Sequence, residues 1–109
     1  MSKRGNEMLI DDMLDSSEQI LKYTNSMTFE QFLSDRMVMD AVIRNFEIIG
    51  EAANKLSDDF KDTNPQIDWH RIRGFRNRIV HDYSGIDYSL VWEIRNELLP
   101  DLIAFLRTC

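Results

Sequence analysis

A chain of 109 residues with 43% hydrophobic and 29% charged side chains can fill a core and stay in solution, so one domain over residues 1–109 is expected and disorder of the whole chain is excluded. Four glycines and two prolines leave little material for the turns of a many-stranded β protein. The formal charge of −6 excludes a surface that is basic all over, as general nucleic-acid binders have, but leaves room for a local cationic pocket, and the lone Cys109 offers no internal disulfide and suits a reducing cytoplasm.

Residues 1–6 are polar, and Asp11 and Asp12 interrupt the apolar positions after them, so no targeting segment is expected. No run approaches the ~18 apolar residues of a membrane helix, and no membrane association is expected. Met8, Ile10, Met13, Leu14, Ser17, Ile20, Leu21 and Thr24 recur at three/four spacing and predict a first helix over about residues 7–24. Asp11, Asp12, Asp15 and Glu18 fall largely off that stripe, as a solvated face does. Asn25-Ser26 ends the helix, and Thr28 with Gln31 has the pattern of a capping box opening a short turn through Phe29, Phe32 and Leu33.

Ser34 or Asp35 then caps a long helix to about Leu56, with Met39, Val42, Ile43, Phe46, Ile48, Ile49 and Ala53 as its apolar positions. Residues 57–68, SDDFKDTNPQID, carry the densest loop signals of the chain, and Asp68 is placed to cap a helix at their end. That helix is predicted over residues 69–83, stopped by Ser84-Gly85. Asp87 caps a last helix through Leu90, Val91, Ile94, Leu98, Leu102 and Phe105, loosened at Pro100. Short links between amphipathic helices make the expected fold all-α, an up-and-down bundle of four or five helices.

The segment WHRIRGFRNRIVHDY, residues 69–83, concentrates four arginines, two histidines and a tyrosine in an acidic chain. On a wheel of about 100° per residue, Trp69, Ile72, Ile79, Val80 and Tyr83 lie within about 60° of Arg76, which therefore sits amid the apolar stripe. Arg73, Asn77 and His81 form an i, i+4, i+8 row on its border, and Arg71, Arg78 and Asp82 point away. A guanidinium among core residues needs partners, because an unpaired buried charge is costly. Two solutions stand open: an internal acid, Glu47 or Glu51 of the long helix, or a cleft that admits phosphate, for which the planar arginine fork is suited.

Arg76-Asn77-Arg78-Ile79-Val80-His81-Asp82-Tyr83 resembles the R-x4-H-x-Y signature of the HEPN superfamily. The stretch from Trp69 to Trp92, together with RNFEIIGEAANKL at 44–56, resembles its HepT-like branch. The resemblance implies an all-α HEPN-like bundle that dimerises so that motif residues of two subunits line one cleft. It implies a metal-independent endoribonuclease without cofactor, the toxin of a toxin–antitoxin pair. Arg76 and His81 would be catalytic, with Asn77 supporting them. The implied antitoxin is an MntA-type minimal nucleotidyltransferase that transfers AMP groups to Tyr83. In such a reaction the RNA 2′-hydroxyl attacks the phosphorus, His81 moves a proton as base or acid, and Arg76 stabilises charge on the non-bridging oxygens. The leaving 5′-oxygen is protonated, and a 2′,3′-cyclic phosphate remains. Tyr83 and Arg73 can also touch substrate phosphate.

Blander roles stand beside these. His70 reads as surface or cap, and Arg71 and Arg78 as solvated charge that attracts RNA only through its sign. Trp69 and Trp92 read as buried anchors rather than base-stacking platforms. Glu47 and Glu51 read as salt-bridge partners of Arg76 or Arg44. The alternative to an enzyme is a non-catalytic HEPN binding module that docks a nucleotidyltransferase or a nucleotide.

Overall fold

Most of the expected helix starts are made by the side chain placed to make them. In the computed structural model, which describes the backbone of residues 3–81 and 85–109 and the side chains of these except 3, 4, 76, 80 and 81, Thr28 forms the full capping box. Its Oγ1 accepts from Gln31 N at 3.1 Å while Gln31 Oε1 accepts from Thr28 N at 2.8 Å. Asp35, Asp68 and Asp87 each accept, through Oδ1, the backbone N–H three residues on, at 3.1, 3.0 and 3.1 Å. Asp35→Ala should accordingly cost about 1 kcal/mol in chemical denaturation, the usual worth of an N-cap.

The helices are α1 (Lys3–Tyr23), α2 (Phe29–Leu33), α3 (Arg36–Lys55), α4 (Asp58–Thr63), α5 (Trp69–Arg73), α6 (Phe75–Ile79), α7 (Tyr88–Glu97) and α8 (Leu99–Leu106). A two-residue antiparallel pair, β1 (Val80–His81) with β2 (Gly85–Ile86), lies between α6 and α7. α1 and α3 pack along one another as the main helix pair, α8 lies against α1, α5 and α6 lie against α3, and α7 packs on α8. The expected all-α bundle is what forms. Among the described residues no helix is long and apolar enough to cross a membrane.

The core gathers Met13 and Ile20 of α1, Phe46 and Ile49 of α3, Phe75 of α6 and Leu102 of α8, all essentially without solvent contact. Two aromatic clusters brace its ends. Trp69 packs edge-on to Phe60 and Phe105 at 5.8 and 6.0 Å and donates Nε1–H to Asn64 O at 2.9 Å. Trp92 meets Phe29 and Phe32 at 5.9 and 5.0 Å. Trp69 is the buried anchor expected of it, whereas Trp92 is half-buried and packs against the core from its edge. Arg95 lies over the Trp92 ring and donates to Thr24 Oγ1 and Thr24 O, so α7 holds the end of α1, and its burial lowers the guanidinium pKa. The turn beyond it needs Ser26 at φ 63°, the left-handed region.

Four departures from the sequence reading concern this framework. The loop expected over residues 57–68 contains α4, because Ser57 Oγ accepts from Phe60 N at 3.2 Å and starts a turn of helix. The last helix is divided at Leu98, with Pro100 in the first turn of α8 where its missing N–H is harmless. The helix expected over residues 69–83 breaks at Gly74 and ends at Ile79. The β-branched pair Ile79-Val80 favours extended backbone, Asp87 N–H closes onto Ile79 O at 2.8 Å, and Gly85 at φ 83° supplies a conformation that a residue with a Cβ rarely adopts. His81 therefore stands on β1 opposite Gly85, and the predicted helical row Arg73, Asn77, His81 does not exist. Finally, Arg71 is not free in solvent: it is half-buried, and its Nε is shielded from water with no hydrogen-bond partner among the described residues.

Candidate active site

The break at Gly74 shapes the surface beside α3. Gly50 of α3 is buried under the α5–α6 turn, and a Cβ built there would stand 3.3 Å from Ile72 O. The two segments approach so closely because Gly50 has no side chain. Gly50→Leu should push α5 off α3 and cost about 1–3 kcal/mol, the range for overpacking a well-filled contact, readable as a fall in thermal midpoint.

Beside this contact opens a cleft of about 560 Å³. One wall is the α3 row Glu47, Gly50, Glu51 and Asn54. The other is formed by His70, Arg73, Gly74, Asn77 and Arg78 of the α5–α6 segment. Glu51, Asn54, His70, Arg73, Asn77 and Arg78 are all exposed, whereas Glu47 is half-buried. Among the described residues no ion pair joins the two walls, and none links Glu47 or Glu51 to Arg44. The salt bridge to Arg44 that the sequence suggested for these glutamates does not form. Among the described residues, no three of His, Cys, Asp and Glu converge as a metal cage.

Of the residues singled out in the sequence, Arg73 and Asn77 do come together, in this cleft, although Gly74 interrupts the helix between them. Arg76 is borne by α6 between the fully buried Phe75 and the exposed Asn77, and His81 by β1 directly after α6; their side chains lie outside the described residues. Tyr83 lies outside the described residues altogether. Arg78 is exposed as expected but lines the cleft instead of facing away from it.

His70, read from the wheel as surface or cap and facing away from the Arg73–Asn77 row, shares their cleft. His70 stands three residues before Arg73 and seven before Asn77, which at about 100° per residue is the same helical face, so the expectation that it faced away misplaced its angle. Asn54 was missed too. Its signal was present as spacing: Glu47, Gly50, Glu51 and Asn54 fall at i, i+3, i+4 and i+7, a polar and small row on a helix whose opposite face is apolar.

The comparisons with known proteins agree on one family. A family described as "Ribonuclease HepT-like" matches residues 13–109. The chain is 37% identical over 102 residues to a Methanocaldococcus jannaschii protein named "Putative RNase", the match covering 94% of each chain. It is 36% identical over 100 residues to "Probable ribonuclease HepT" of Thermococcus cleftensis, covering 92% of this chain and 91% of that one. A "Putative RNase" of Caldanaerobacter subterraneus subsp. tengcongensis is 30% identical over 93 residues, covering 85% and 83%. No solved structure matches.

Proposed function

This chain belongs to the HepT-like family, and we propose on that premise that it is a metal-independent endoribonuclease. The reading rests on one observation above the rest: a segment of eleven residues, 71–81, carries Arg76 and His81 in the family's spacing and also presents Arg73, Asn77 and Arg78 to an open cleft. A cationic wall of that kind attracts and orients phosphate. The names of the relatives in three organisms, two printed as "Putative RNase" and one as "Probable ribonuclease HepT", support the same activity.

In this mechanism the substrate brings its own nucleophile. His81 takes the proton of the RNA 2′-hydroxyl as that oxygen attacks phosphorus, and the P–O5′ bond breaks with protonation of the leaving oxygen. The Arg76 guanidinium stabilises charge on the non-bridging oxygens, a contribution of a few kcal/mol in comparable sites. Asn77 and Arg73 hold the flanking phosphates. A second subunit, related by dimer symmetry, completes the cleft with its own copy of the motif, and its imidazole serves as the complementary acid. Adenylylation of Tyr83 by a nucleotidyltransferase antitoxin of the MntA type would add bulk and negative charge two residues from His81, closing the site to RNA. The setting is the cytoplasm, where RNA and such a partner meet.

The test is a pair of oligonucleotides of identical sequence, one RNA and one DNA, incubated with the purified protein. Cleavage of the RNA alone is expected, since DNA lacks the 2′-hydroxyl; cleavage of both would contradict the mechanism. Intact RNA at every protein concentration would favour a binding module instead.

A further inference from the structure

The chemistry of the cleft walls is unequal. Arg73 and Arg78 stand on one side and the Glu47–Glu51 pair on the other, with no ion pair between them among the described residues. A groove made only to follow a phosphodiester chain would be cationic on both sides, because each carboxylate repels phosphate. An ionised carboxylate accepts hydrogen bonds and donates none, so whatever faces Glu47 and Glu51 must present N–H or O–H groups. In single-stranded RNA those groups are the base edges and the ribose hydroxyls. Guanine alone sets two such donors side by side on its Watson–Crick edge, N1–H and the N2 amine, matched to the two oxygens of one carboxylate. Adenine and cytosine offer a single exocyclic amine there, and uracil a single N3–H.

The volume of about 560 Å³ falls within the ~300–1,000 Å³ typical of small-ligand sites, enough for one nucleotide. Glu51 is exposed, one helical turn beyond the half-buried Glu47, and is the carboxylate a base can reach. His70, on the opposite wall, is exposed, and a histidine ring is one on which a base can stack. We propose that this cleft is a base-recognition subsite that selects guanine through the Glu51 carboxylate, with Arg73 and Arg78 on the adjoining phosphates. The proposal rests on the reading that the protein handles RNA.

Binding and cleavage separate the two ideas. Short single-stranded RNAs carrying guanine, inosine, adenine, cytosine or uracil at one position in a constant sequence are titrated by fluorescence anisotropy and also mapped for cleavage. Guanine is expected to bind about tenfold more tightly than adenine or uracil, the scale of a good bidentate contact. Inosine, which keeps N1–H but lacks the 2-amine, is expected to lose most of that preference. Glu51→Gln, on an exposed helix position, should level the series while circular dichroism shows unchanged helicity. Binding without base preference overturns the guanine subsite and leaves the ribonuclease reading intact. A guanine preference without cleavage keeps the subsite and overturns the ribonuclease reading. No binding of any RNA overturns both.

Discussion

His81→Ala should slow RNA cleavage by about 10²–10⁴-fold, the range for removing a general acid–base group. The residue sits on β1 opposite Gly85, outside every helix, so helicity should survive the change. Initial rates measured beside circular dichroism on the same samples check both halves of this expectation. Arg76→Ala should cost about 10²–10³-fold by the same assay, as loss of a positioned charge stabiliser does. A His81→Ala protein that cleaves at the wild-type rate would move the chemistry to another group. His70 would be the first to examine, because it is the imidazole that lines the cleft among the described residues.

Phe75→Ala should be among the most damaging changes to the fold. The ring is fully buried and meets Phe46 edge-on at 5.2 Å between centroids, tying the start of α6 to the middle of α3. Removing a buried phenylalanine costs about 3–5 kcal/mol through lost transfer energy and the cavity left behind. For a domain of this size that lowers the thermal midpoint by on the order of 20 °C. Differential scanning calorimetry reads it directly. Phe75→Leu, which keeps most of the volume, should lose much less. An equal loss for both variants would mean that ring geometry, rather than volume, holds α6 in place. Because α6 also carries Arg76 and Asn77, Phe75→Ala should reduce RNA binding well below its melting temperature, and Phe75→Leu should not.

Local chemistry made most of the bundle legible beforehand. Thr28, Asp35, Asp68 and Asp87 are short polar side chains set just before apolar periodicity, and each caps the helix that begins there. The core positions of α1 and α3 announce themselves by three/four spacing, and Val42, Phe46, Ile49 and Ala53 are buried accordingly. The region of residues 69–86 was harder because two tendencies compete there. Trp69, Ile72, Ile79 and Val80 satisfy a helical stripe, while Gly74, the Ile79-Val80 pair and Gly85 each favour a break. Tertiary packing decides: the α5–α6 turn seats on Gly50 of α3, a contact between residues more than twenty positions apart that no local pattern encodes. The error over Arg78 descends from that break, since a wheel drawn through Gly74 assigns the side chains after it to the wrong direction, whereas His70 and Arg71 precede it. The resemblance to the family signature does not depend on the wheel, because it is a statement about spacing along the chain, whatever the backbone between Arg76 and His81 does.

The function proposed for this segment comes down to one reaction, cleavage of RNA with no metal by the substrate's own hydroxyl. End-group analysis of the fragments made by the purified protein in EDTA tests it most directly. Unimpaired cleavage is expected, with a 2′,3′-cyclic phosphate on one fragment and a 5′-hydroxyl on the other. Loss of activity in the chelator, or fragments bearing a 5′-phosphate, would contradict it.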